Sequence, residues 1–126
     1  MAASLPALIE AMASNAKKTG ISVDETFRRS AVDYMKLIET SRRPELISLA
    51  PRARNVILAV IGNRAISMAH EARSLVVTAE YFKQAIQEYK GPTIPPWDTC
   101  EYAAIQIAKD IQTYEMQLSE SLRRSL

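Results

Sequence analysis

The stretch that most limits what this chain can become runs over residues 51–91, from a proline to a glycine. Between those ends it holds no proline and one glycine, Gly62. It opens with an apolar run, Val56-Ile57-Leu58-Ala59-Val60-Ile61. Beyond that, Ile66, Met68, Ala69, Ala72, Leu75, Val76, Ala79, Phe82, Ala85, Ile86 and Tyr89 recur mostly at three- and four-residue intervals. That recurrence marks an amphipathic helix. Unbroken over 52–89 it would be about 57 Å long, more than a compact domain of this size spans. A break or kink is therefore expected, and Gly62-Asn63 is the pair best suited to supply it.

The flanking sequence reads as shorter helices around this one. Ser4 caps a first helix near 5–19, whose stripe is Leu5, Leu8, Ile9, Met12, Ala13 and Ala16, with Gly20 as its stop. Ser22-Val23-Asp24-Glu25 has the form of a capping box for a second helix near 23–42, ended by Pro44. Residues 44–50 form a short apolar turn. Residues 91–97, with Pro92, Pro95 and Pro96, form a stiff linker. After it, Asp98 and Glu101 box the start of a last helix near 99–124, with Trp97 and Tyr102 at the staple positions. Ala104, Ile107, Ala108, Ile111, Tyr114, Leu118 and Leu122 are its expected buried face. The expectation is one all-α domain over 1–126, a helical bundle of four to five helices with a long central helix, without β-sheet and without an internal repeat.

Chemistry-bearing motifs are scarce. His70 is the only histidine, and the second histidine of a zinc-protease helix would fall at Ser74. Cys100, the only cysteine, permits no internal disulfide and sits in a helix first turn, where the dipole lowers a thiol's pKa. With three glycines there is no phosphate-cradling loop, and no carboxylate–histidine spacing suggests a metal. The reading is non-enzymatic, with no cofactor; a small enzyme using His70 or Cys100 is the remote alternative.

Charge offers one asymmetry. The formal net charge is only +2, yet Arg42, Arg43, Arg52, Arg54 and Arg64 face the single acid Glu45 within their stretch. Arginine forks hold phosphates and carboxylates, so this cluster suits a nucleic-acid backbone or an acidic protein partner. No aromatic residues interleave with it. An Arg-rich nucleic-acid-binding or regulatory protein is the alternative it supports.

Apolar surplus points instead to self-association. The run 56–61 is apolar around the whole helix, and Leu75-Val76-Val77 is wider than a stripe. Val56, Ile57, Val60, Ile61, Leu75 and Val76 are the expected oligomer contacts, with basic and acidic halves meeting head to tail. No segment reaches the ~20 apolar residues of a membrane span, so a membrane is not expected. The overall expectation is a homo-oligomeric assembly subunit, cytoplasmic or built into a virion, such as a viral or bacteriophage head–tail connector working with other assembly proteins.

Overall fold

The computed structural model describes residues 4–89 and 99–125. Its elements in chain order are α1 (Leu5–Lys18), β1 (Ser22–Val23), α2 (Glu25–Thr40), α3 (Pro44–Ile47), α4 (Pro51–Glu71), β2 (Val76–Val77), α5 (Ala79–Gln87) and α6 (Thr99–Ser125). The class is all-α. Six helices are present among the described residues, one of them the single turn α3, against the four or five expected. The expected extended linker and the Trp97–Asp98 cap lie outside the described residues.

The central segment does break, but not at Gly62-Asn63. Gly62 is buried inside α4, where a Cβ would lie 2.6 Å from Met12 Sδ and 3.6 Å from Phe27 Cζ. A glycine costs a helix roughly 1 kcal/mol, and here the missing side chain lets α1 press against α4. The break comes at residues 72–78, through Arg73 at φ +56°. No glycine marks the spot, so composition alone could not place it.

This second turn copies the first. At the end of α1, Gly20 (φ +86°) donates to the Lys17 carbonyl at 3.0 Å, and Ile21 donates to Ala16 at 3.1 Å. At the end of α4, Arg73 donates to His70 at 3.0 Å and Ser74 to Ala69 at 2.9 Å. Both are Schellman stops, each followed by a two-residue strand, a cap and a new helix. The strands pair in parallel, Ser22 with Val76 and Val23 with Val77. One expectation is corrected here, since four residues do form a ladder; the backbone also repeats a unit that the side-chain sequence conceals. The second copy carries one more residue between its left-handed position and its strand. That brings Leu75, 75% exposed, to the tip of the turn, whereas Ile21 in the first is buried.

The ladder also corrects the second cap. Ser22 is in β1, and Asp24 caps α2, its Oδ1 accepting from Phe27 N at 3.0 Å and from the Thr26 hydroxyl at 2.7 Å. Thr26 Oγ1 in turn accepts from Ala79 N at 3.0 Å, so α5 is capped from α2. The two turns are thereby tied at their helix starts. The core lies between them and α6. Phe27 meets Phe82 edge-on at 5.5 Å, Tyr34 meets Phe82 at 5.7 Å, and Ile38, Ile57, Leu58 and Ile61 are fully enclosed beside them.

Candidate functional site

The two side chains with catalytic potential serve the fold. His70 Nε2 lies 2.8 Å from Thr19 Oγ1. The Thr19 hydroxyl proton points to the Ala16 carbonyl at 2.8 Å, which leaves the imidazole N–H as donor to Thr19. His70 thus joins the ends of α1 and α4. Cys100 is half-buried, and its carbonyl accepts from the Tyr34 hydroxyl at 3.3 Å. Burial, with a further push from Glu101, raises its thiol pKa, against the lowering expected from its place in a helix first turn. Burial likewise holds the Tyr34 phenol far above its ordinary range. No hydrogen bond or ion pair joins His70 to Cys100 among the described residues.

The arginine cluster is divided by folding. Arg64 binds Glu88 through its Nε at 3.0 and 3.1 Å and through Nη2 at 2.8 Å, and reaches Glu71 with Nη1 at 3.0 Å. These bonds raise its pKa further and hold the Glu88 carboxyl below its ordinary range. Arg43 donates to Glu101 at 2.9 Å, tying α3 to α6. Arg54 is half-buried, with its Nε enclosed and without a hydrogen-bond partner among the described residues. Arg42 and Arg52 are exposed. The five side chains therefore do not present one face of uncommitted cations.

The expected apolar contacts separate as well. Ile57 and Ile61 are fully buried within the chain, so they are core residues rather than surface for a neighbour. Val56 remains exposed and Val60 half-buried. Leu75 and Val76 are exposed at the tip of the second turn. α6 lies where expected, but sequence periodicity alone misjudged how far its apolar face is buried. Its first half is buried as expected at Ala104, Ile107 and Ala108, and Ala103 beside them is enclosed as well. Its second half outruns the body. Tyr114 is 65% exposed, Leu118 49% and Leu122 59%, although they continue the same stripe.

From residue 112 to 125 the overhang is about 20 Å long. Where it leaves the body, an open groove of about 800 Å3 separates it from the start of α4. Val56, Val60 and Tyr89 form one wall, and Ile107, Ile111 and Leu118 the other. Asp110 also lines it, and burial, followed by the Asp110 charge, raises the pKa of the Tyr89 phenol. This notch and the helix over it are the candidate site. Its lining is mostly aliphatic and aromatic, with Ser48, Arg52, Asp110 and Gln112 as polar members, a mixture that suits a protein surface. No helix among the described residues is long and apolar enough to cross a membrane. No group of three or more metal-ligating side chains occurs among them. No protein-family model matches the chain, and no curated protein or solved structure does so either.

Proposed function

We propose that this chain is a non-catalytic helical assembly subunit that works by associating with copies of itself. The observation that carries the reading is the second half of α6. A helix that needed only its own body would end its apolar stripe where the body ends, near Ala108 and Ile111. Here the stripe goes on through Tyr114 and Leu118, and the described residues leave much of that surface to water. Burying it yields ~25 cal/mol per Å2 of apolar area, so a few hundred Å2 outweigh several surface ion pairs. The narrower reading, a virion or bacteriophage component such as a head–tail connector, rests on type: a small helical chain without catalytic motifs and with surplus apolar surface.

Native mass measurement at micromolar concentration tests the proposal. The intact chain should run as a defined oligomer, and Tyr114→Asp should reduce it to a monomer of unchanged helicity. A monodisperse monomer for the intact chain would overturn it.

A further inference from the structure

The groove and the overhang lie side by side, and they fit each other across a two-fold axis. Resting on the self-association reading above, we infer that two copies exchange the second halves of α6, packed antiparallel, each filling the other's groove.

The register follows from the helix. Counting heptads from Ala104 places Ala104, Ile111 and Leu118 at a, and Ile107 and Tyr114 at d, with Ser121 and Ser125 the polar members at the end of the helix. The first of these residues are spent on the body and the later ones are exposed, so the seam continues beyond the fold that needs it. An antiparallel partner sets Tyr114 against Leu118 of the second copy, and Leu118 against its Tyr114. Position g then settles the alignment. It holds Asp110, Gln117 and Arg124, all exposed, with opposite charges seven residues to either side of a neutral centre. In the antiparallel pair Gln117 meets its own counterpart near the axis, and Asp110 faces Arg124 twice. This is charge self-complementarity of the kind a two-fold contact requires.

A parallel pairing has neither feature. It would leave Asp110 and Arg124 about 21 Å apart along the axis. It would also bring both bodies to the same end, where each already surrounds the first half of its α6. The antiparallel pair puts the bodies at opposite ends. One face of a helix 10–12 Å across and about 20 Å long offers roughly 400 Å2 in each copy, which places the contact among the smaller associations, with charge pairing to fix its register.

The test uses the full chain in a Cys100→Ser background. Gln117→Cys should oxidise to a disulfide-linked dimer under mild conditions, while Thr113→Cys, on the outer face of the same helix, should not. Separately, Asp110→Arg or Arg124→Asp alone should weaken association about tenfold, and the two together should restore it. An oligomeric native mass with no cross-link at Gln117→Cys and no rescue by the double reversal would overturn the exchanged-helix arrangement while leaving self-association standing. A monomeric native mass would overturn both.

Discussion

The two halves of α6 have nearly the same apolar spacing and opposite surroundings. In the first half, Ala103, Ala104, Ile107 and Ala108 are enclosed by α2, α4 and α5. The Tyr34 hydroxyl holds the Cys100 carbonyl, and Arg43 holds Glu101. In the second half, Tyr114 and Leu118 carry larger apolar groups than the alanines before them and meet far less. Alanines make up most of the face where the body presses close, and Tyr114 and Leu118 stand where it does not. The difference teaches that a helical stripe reports which face wants covering, not whether the same chain covers it.

Matched substitutions should sharpen that contrast. Ile107→Ala removes a nearly enclosed side chain and should cost about 2–4 kcal/mol by urea unfolding. Tyr34→Phe deletes the hydroxyl that pins the start of α6 and should cost roughly 1 kcal/mol, without changing native mass. Leu118→Ala, measured at a dilution where the chain is monomeric, should stay within about 0.5 kcal/mol of the parent, yet association should weaken. A large loss of monomer stability at Leu118 would erase the distinction between the halves. The smallest effect is chemical. Because burial raises the Cys100 pKa, its thiolate is scarce at neutral pH. Its alkylation by iodoacetamide should lag behind that of an unfolded control and catch up only as pH rises past the ordinary thiol range.

Much of this architecture is legible in the residues, because helix periodicity survives in every long segment. The ends of α1 and α2 and the start of α6 are expected within a few residues of where they occur. What could not be read there depends on partners distant in sequence. Gly62 looks like a helix breaker until Met12 and Phe27 are seen against it. Arg73 gives no sign of a left-handed turn, because the residue type that usually announces one is absent. Ser22 and Asp24 compete for the same cap, and pairing of Ser22 with Val76 decides between them. The run 56–61 is apolar around its helix, and folding encloses Ile57, Leu58 and Ile61 but leaves Val56 outside. Likewise the five arginines look like one patch until Glu101, Glu88 and Glu71 divide them. For the candidate site, the stripe through Tyr114 and Leu118 was visible, but the point where the body stops beneath it was not.

The small ladder between the turns bears on the order in which the molecule assembles. Ser22 and Val76 are more than fifty residues apart, and a parallel ladder of two residue pairs, whose bonds include Ser22 N to Leu75 O and Asp24 N to Val77 O, closes that span. Bringing such distant segments together carries a loop-closure cost that so short a ladder barely offsets. The helices between them must therefore shorten the gap first, and the ladder acts as a late clasp on a nearly finished fold. In pulse-labelled refolding, helical amides of α2 and α4 should gain protection before those of Ser22 and Asp24. Simultaneous protection would instead place the clasp in the folding nucleus.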